Sequence, residues 1–184
     1  MTPAAFYDFS LPTDSWRELI AAMWETMHHA PGVGLAAPQI GLGIAVAVIE
    51  DRAEVPPEIA TERDRYPAPP RVLVNPSYLP VATEGDESEV ATADFYEGCL
   101  SVPGYQAVVR RARSVRLTCV DEDGRPVDEL VPGWAARIVA HETDHLNGVL
   151  YLDRAFLRSL SSTGNLLDLW SGSPMSAVRQ RLNF

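Results

Sequence analysis

Two histidines four residues apart, His141 and His145, are the residues whose types and spacing most clearly suggest chemistry. They belong to the segment HETDH (141–145), inside a stretch with helical spacing of apolar residues (134–146). Because residues four apart on a helix lie one turn above each other, both imidazoles can reach one metal ion. Glu142, between them in sequence, is near enough to act on a water molecule. The alternative is an exposed polar turn in which these residue types coincide by chance.

A third ligand would decide the class of hydrolase. A zinc peptidase that takes a later glutamate is a poor match, because no glutamate follows Glu142. The class that extends the motif to a third histidine also fits poorly, since Tyr151 stands at that position. His28 and His29 lie at the end of an early helix, and a solvated helix end that interacts with the helix dipole explains them. Asp153 and Asp168 remain open as ligands, although each also has an ordinary structural explanation.

Cys99 is the best candidate for the third ligand. It lies in the segment EGCLSVPG (97–104), between glycines that let the backbone come close to a ligand. Alone, it would be interpreted as a buried structural thiol. Beside an HExxH motif that lacks one ligand, the metal interpretation is favoured. Cys119 shares a strand face with Val115 and Leu117, and we expect it in the core.

Three separate motifs make the chain resemble the peptide deformylases. They occur in the family's order, as GVGLAAPQIG (32–41), EGCLS (97–101) and HETDHL (141–146). The resemblance runs from about Trp16 to about Arg154. The lead into the metal helix, PGWAAR (132–137), is similar to the branch of the family found in mitochondria and plastids. The family's usual N-terminal Asp-Pro-x-Leu-Arg element is absent, which leaves the packing of the N-terminus open.

The resemblance implies a metal site. Cys99, His141 and His145 would bind the metal and leave an open fourth position. The family's usual metal is ferrous iron (Fe²⁺), with Zn²⁺, Ni²⁺ or Co²⁺ as substitutes. One thiolate and two imidazoles suit zinc equally well, so the expectation of iron comes from the family and not from the ligand types.

The resemblance also implies a reaction, the removal of the N-formyl group from the N-terminal formyl-methionine of newly made polypeptides, with release of formate. The metal would lower the pKa of a water molecule. Glu142 would act as general base toward that water and then protonate the departing amine. The side-chain amide of Gln39 and the backbone N–H of Leu100 would stabilise the formyl oxygen.

The substrate-binding residues are expected near the first motif and on the metal helix. Backbone around Gly34 would pair with the substrate peptide as an added strand, which the absence of a side chain permits. Val33, Trp134 and Ile138 are candidates for the pocket that holds the methionine side chain. Trp134 and Ile138 are one helical turn apart, and they could equally be plain core.

The pattern of elements predicts an α+β fold in which antiparallel strands pack around the late central helix that carries the HExxH motif. We expect one catalytic domain over residues 1–184. The expected elements are an early helix from Thr13–Ser15 to Pro31, strands over 43–49, 71–75 and 78–82, an exposed Pro-rich loop over 51–70, an acidic turn over 84–89, a hairpin over 106–120, a turn at 121–124 into 125–131, and a tail over 160–184 with one short helix.

Composition excludes two classes of partner. The formal net charge of −10 argues against a nucleic-acid partner, and no apolar run is long enough to cross a bilayer. The arginines at 110, 111, 113 and 116 alternate with small residues and suggest the polar edge of a strand. The N-terminus lacks the basic start of a secretory signal, so we expect a cytoplasmic protein.

The expected partners are formyl-methionyl nascent peptides, with transient contact to the ribosome. Three alternatives stay open at this point: a general zinc peptidase, a specialised paralogue that deformylates a small metabolite, and a binding protein that serves as a decoy for an inhibitor. Intact catalytic positions argue against a binder without activity.

Overall fold

The chain divides into two compact units and passes from one to the other three times. Its computed structural model describes residues 2–30, 32–52, 54–82, 89–170 and 173–184. The first unit contains Met1–Ala91 and Ala112–Val149, and the second contains Thr92–Arg111 and Leu150–Phe184. The helices are α1 (Thr13–His29), α2 (Pro57–Arg63), α3 (Gly133–Leu146), α4 (Thr163–Leu169) and α5 (Met175–Leu182). The strands are β1 (Gly34–Ala36), β2 (Val46–Asp51), β3 (Ala68–Pro80), β4 (Thr92–Cys99), β5 (Val102–Ala112), β6 (Ser114–Val120), β7 (Pro126–Pro132) and β8 (Ser161–Ser162).

The first unit contains an antiparallel sheet whose two faces are covered by α1 and α3. The sheet has the strand order β1-β2-β3-β6-β7, and each neighbouring pair is antiparallel. Because side chains alternate along a strand, Val46 and Val48 of β2 belong to the core cluster that includes Met23 of α1. Ala47 and Ile49 belong to the cluster that includes residues of α3. The sheet is therefore covered on both faces.

The start of α3 is set by Gly133. Its φ of +63° lies in the left-handed region, which a residue with a Cβ rarely adopts. A Cβ built there would lie 2.3 Å from the carbonyl oxygen of Asp64. The next residue, Trp134, donates its backbone N–H to that oxygen at 2.9 Å. The end of α2 and the start of α3 are thereby joined through the main chain.

The second unit is built on a three-stranded sheet of order β4-β5-β8. Its apolar cluster contains Ala107, Val109 and Tyr151. A buried ion pair crosses its hairpin, where Arg111 donates to both carboxylate oxygens of Glu97 at 2.8 and 3.0 Å. Both side chains are about 5% exposed or less, so the predicted position of Arg111 on a polar strand edge is wrong.

Several predicted elements differ from the structure in ways that long-range pairing explains. The predicted hairpin over 106–120 is wrong, because β5 and β6 belong to different sheets. The two strands predicted at 71–75 and 78–82 are one strand, β3, whose register shifts between Val74 and Ser77. Asn75, with a φ of +51°, lies in that shift. Pro12, not Asp14 or Ser15, stands at the N-cap of α1.

Two proline- and glycine-containing segments hold more regular structure than expected. The segment over 51–70 contains α2 and the start of β3, and the tail over 160–184 contains two helices instead of one. Most of the acidic turn predicted over 84–89 lies outside the described residues. The turn at 121–124 and the late helix are confirmed, and so is the α+β class. The expectation of a single domain stays a prediction. In the described part of the chain, no helix has the length and apolar content that a membrane span requires.

Candidate active site

The two histidines of the HExxH motif lie on α3 with their rings adjacent. The ring centroids of His141 and His145 are 4.8 Å apart, and the ring planes make an angle of 80°. His145 is buried, whereas His141 is partly exposed. The helical prediction is therefore confirmed, and one turn of α3 presents two imidazole nitrogens on the same side of the helix.

Glu142 is buried beside this pair on the face of α3 that covers the sheet. Its side chain is 4% exposed, and its carboxyl group lies against Gly34 of β1. Asp144 on the same helix is also buried and accepts a hydrogen bond from the Tyr78 hydroxyl at 3.1 Å. Sequence reasoning missed the Tyr78–Asp144 contact, because 66 residues separate the partners and no local spacing relates them.

Gln39 lies in the 3-10 turn that follows β1 (Ala37–Ile40). Its side-chain oxygen accepts the backbone N–H of Ala36 at 2.8 Å. The Ala36 N–H can only donate, so the atom that it contacts must be the oxygen of the Gln39 carboxamide and not the nitrogen. Gln39 is therefore held by its own loop with its NH₂ end as the donor.

In the second unit, Cys99 is the last residue of β4. Leu100 and Ser101 form the two-residue turn to β5, and the Leu100 side chain is 40% exposed. The Cys99 sulfur accepts the backbone N–H of Ser101 at 3.3 Å. The thiolate is the form in which a cysteine ligates a metal.

Tyr151, at the position where a third histidine would extend the motif, has a structural role in the second unit. It is 1% exposed, and Cys99 packs against the cluster that contains it. Burial, followed by the nearby charges of Cys99 and Glu97, raises its pKa to about 12. Its hydroxyl therefore stays protonated and donates to the Tyr105 carbonyl at 3.1 Å.

The candidate pocket residues of the first unit share one apolar cluster. Ile138 is a buried member, and Val33 and Trp134 pack against it while partly exposed. Three guanidinium groups lie 5.1–5.5 Å from the Trp134 ring centroid, those of Arg63, Arg65 and Arg137. Sequence reasoning missed this arrangement, since two of the arginines precede the helix by some 70 residues.

Two of the alternative ligands, His28 and Asp153, have partners of their own. The His28 ring is hydrogen bonded to the Glu50 carboxylate at 2.7 Å, so it is more than a solvated helix end. Asp153 accepts the Leu150 N–H at 2.7 Å, and Asp168 is exposed on α4. Among the described residues, the group of histidine, cysteine and acidic side chains that could hold a metal ion is Cys99, His141 and His145.

The donor set of this group fits a divalent transition metal. A thiolate with two neutral imidazoles leaves a fourth position open, which is the arrangement of catalytic sites. The set does not discriminate between iron and zinc. The structure thus supports a metal-binding group of this composition, without naming the metal.

Comparison with known proteins identifies the family. A family model described as "Polypeptide deformylase" matches residues 4–160. The chain is 56% identical over 178 residues to peptide deformylase 1 of Streptomyces coelicolor, covering 97% of this chain and 78% of the relative. The chloroplastic peptide deformylase 1A of Solanum lycopersicum is less similar, at 40% identity with 88% and 58% covered.

A solved peptide deformylase structure has a fold similar to that of this chain. The class I type b peptide deformylase of Acinetobacter baumannii, bound to Met-Ala-Ser, superposes with a TM-score of 0.70. Its sequence identity is 32%, with 84% of this chain and 89% of that chain covered. The matched region includes all three motifs, and the chain belongs to the peptide deformylase family.

Proposed function

We propose that the chain removes the formyl group from N-terminal formyl-methionine of nascent polypeptides, with Glu142 as the general base. Its family membership establishes the deformylase activity. The observation that carries the residue roles is the buried Glu142, which directly follows His141 on α3, where the rings of His141 and His145 are adjacent. The alternatives of a small-metabolite enzyme or an inhibitor decoy find no support among the relatives.

Cys99, His141 and His145 are the proposed ligands of the metal, for which we propose Fe²⁺, with Zn²⁺, Ni²⁺ or Co²⁺ as substitutes. A bound divalent ion supplies Lewis acidity, which polarises the formyl group and makes water acidic near neutral pH. The ligand set is the potential metal-binding group that the described residues contain. The choice of iron rests on the family resemblance alone.

The chain's own groups move the proton and hold the developing charge. Glu142 accepts the proton of the attacking water and returns it to the amine of methionine as the C–N bond breaks. The Gln39 NH₂ group, oriented by the contact with Ala36, donates to the formyl oxygen. The Leu100 backbone N–H, in the turn after β4, is the second proposed donor.

The substrate backbone is proposed to pair with β1. This strand stands at one end of the sheet order, so one of its edges is not paired to another strand of the described residues. An extended peptide can add to such an edge through main-chain hydrogen bonds. Val33, Trp134 and Ile138, which share one apolar cluster, are proposed to line the methionine pocket.

The activity is tested by formate release from formyl-Met-Ala-Ser, with protein purified anaerobically in ferrous iron. Glu142→Gln keeps the size of the side chain and removes the base. We expect the wild type to release formate and the variant to lose about 100-fold to 10,000-fold in kcat. Bound metal is measured in both, and unformylated Met-Ala-Ser is the control for general peptidase activity. Equal rates for the two proteins would overturn the role of Glu142.

The metal and its ligands are tested separately. Elemental analysis of anaerobically purified protein is expected to show iron in the wild type and much less in Cys99→Ala. Retention of full metal content by that variant would contradict Cys99 as a ligand.

Location and ribosome contact are further parts of the proposal. Because formylated N-termini emerge during translation, we propose a cytoplasmic enzyme that contacts ribosomes transiently. Cosedimentation with ribosomes at low and high salt tests the contact, and fractionation of the source cells tests the location.

A further inference from the structure

We propose that Gly34 is a positioning residue for the general base, because its missing side chain is the space that the Glu142 carboxyl group occupies. The inference rests on the proposed role of Glu142 and assigns a function to Gly34 other than substrate pairing. A Cβ built on Gly34 would lie 2.3 Å from Glu142 Oε1, 2.6 Å from Cδ and 2.6 Å from Cγ. These three atoms of Glu142 are its nearest neighbours.

The requirement for glycine at this position is steric and not conformational. Gly34 is absent from the glycines with positive φ, so its backbone lies in a region that any residue can adopt. Alanine would therefore fit the main chain of β1. The Cβ of alanine would, however, overlap with the Glu142 side chain, since real Cβ atoms essentially never approach heavy atoms within 3.0 Å.

The alternation of β1 explains why the contact occurs. Leu35 belongs to the apolar cluster on the α1 side of the sheet, and Ala36 belongs to the cluster on the α3 side. Gly34 shares the face of Ala36, two residues away, because side chains alternate along a strand. The smallest residue of β1 on this face is thus the one opposite Glu142.

Rotation of the carboxylate alone cannot relieve the overlap. The conflict includes Cγ as well as the terminal atoms, so the side chain would have to turn about its bonds nearer the helix. Glu142 is 4% exposed on a packed helix, where rotamer changes meet neighbouring side chains. A Cβ at Gly34 would therefore move the carboxyl group away from its present position.

The contact links the strand that is proposed to receive the substrate to the group that moves the proton. The main chain of β1 would hold the peptide, and the bare Cα of Gly34 would hold the base at a defined distance from it. A misplacement of about 1 Å in such an arrangement can cost on the order of 100-fold in rate. Gly34 acts through Glu142 and is not itself a catalytic residue.

The test compares Gly34→Ala with Gly43→Ala in formyl-Met-Ala-Ser turnover. Gly43 is a matched control, because a Cβ there meets nothing within 4 Å and its φ is not positive. We expect Gly34→Ala to lose about 100-fold in kcat, with KM changed by less than about twofold. If Gly34 served only to admit the substrate strand, KM would rise while kcat stayed near the wild-type value, and the inference would be overturned. A kcat equal to that of Gly43→Ala would also overturn it.

A stability measurement tests the contact without relying on activity. Gly34→Ala is expected to lower Tm by about 3–10 °C in the wild-type background, through overpacking. In the Glu142→Ala background, where all three conflicting atoms are gone, the same change should leave Tm nearly unaltered. An equal loss in both backgrounds would overturn the inference. Should Gly34→Ala alone fail to fold, a folded Gly34→Ala/Glu142→Ala protein would support it, and an unfolded one would overturn it.

The Glu142→Gln variant distinguishes a failure of the positioning role of Gly34 from a failure of the proposed role of Glu142. If Glu142→Gln keeps full kcat, the role of Glu142 as base is wrong, whatever Gly34 does. If Glu142→Gln is inactive and Gly34→Ala is fully active, the general base stands and only the positioning role of Gly34 fails.

Discussion

The side-chain oxygen of Gln39 accepts the backbone N–H of Ala36 at 2.8 Å, and this contact sets the direction of the amide group. Ala36 ends β1, and Gln39 lies in the turn that follows. The loop therefore holds the side chain by one end and presents the other as a donor. A donor fixed before the reaction costs no reorganisation when charge develops on the substrate oxygen.

The first prediction separates the holding contact from the donor. Gln39→Glu keeps an oxygen for the Ala36 N–H and removes the NH₂ group, whereas Gln39→Leu removes both. We expect both variants to lose about 100-fold to 1,000-fold in kcat with little change in KM, and Gln39→Glu to keep the wild-type Tm. Steady-state formate release and thermal unfolding measure the two effects. A Gln39→Glu enzyme with wild-type kcat would rule out the donor role.

The second prediction concerns the buried pair of Arg111 and Glu97. Arg111→Met leaves the Glu97 carboxylate buried without its guanidinium partner, and should lower the free energy of unfolding by about 3–5 kcal/mol. The double variant Arg111→Met/Glu97→Gln removes the isolated charge and should recover part of that loss. Urea titration with fluorescence detection measures both.

Arg116→Met is the matched control for this pair. Arg116 and Asp128 form the same two-bond geometry, at 2.7 and 2.9 Å, but both side chains are more than half exposed. Because water screens exposed pairs, the loss should be far smaller than for Arg111. Equal losses at the two positions would show that burial does not determine the effect.

The third prediction concerns Gly133, the first residue of α3. Gly133→Ala would combine a left-handed backbone with a contact of 2.3 Å to the Asp64 carbonyl oxygen. We expect a loss of about 2–5 kcal/mol in the free energy of unfolding. Gly164→Ala is the control, since its Cβ meets open space on α4 and alanine favours the helix. A Gly133→Ala protein as stable as this control would contradict the proposed constraint.

The fourth prediction is a pH dependence of stability caused by Cys119. Burial raises the pKa of this thiol to about 11 from an ordinary value of 9.0. The unfolded chain therefore loses its proton first, so the stability from Cys119 is complete below pH 9 and is lost as the pH rises toward 11. Cys119→Val removes the thiol and keeps a small apolar side chain.

Urea titrations between pH 8 and pH 11 measure the difference. The free energy of unfolding of the wild type should fall relative to Cys119→Val by up to about 2–3 kcal/mol across this range. Groups that titrate in both proteins cancel in the comparison. Parallel pH profiles would mean that Cys119 ionises as easily in the folded protein as in the unfolded chain.

Local patterns determined the elements that depend on short-range geometry. The spacing of His141 and His145 predicts two imidazoles on one side of a helix, because the helical repeat alone places them there. The turn at 121–124 joins β6 and β7 as its residue types predict. The resemblance to the family predicts Cys99 as a metal ligand. The three motifs are specific in combination, although long stretches of chain separate them.

Tertiary structure decided which distant residues meet. The alternating arginines near Arg111 look alike in sequence, yet Arg111 is buried against Glu97 and Arg116 is paired at the surface. β5 and β6 follow each other along the chain and still enter different sheets, because strand pairing depends on the whole set of partners and not on adjacency. Gly34 and Glu142 are 108 residues apart in sequence, so the need for space at Gly34 becomes apparent only when α3 covers β1. Periodicity fixes which side of an element is apolar, but packing alone decides what that side touches.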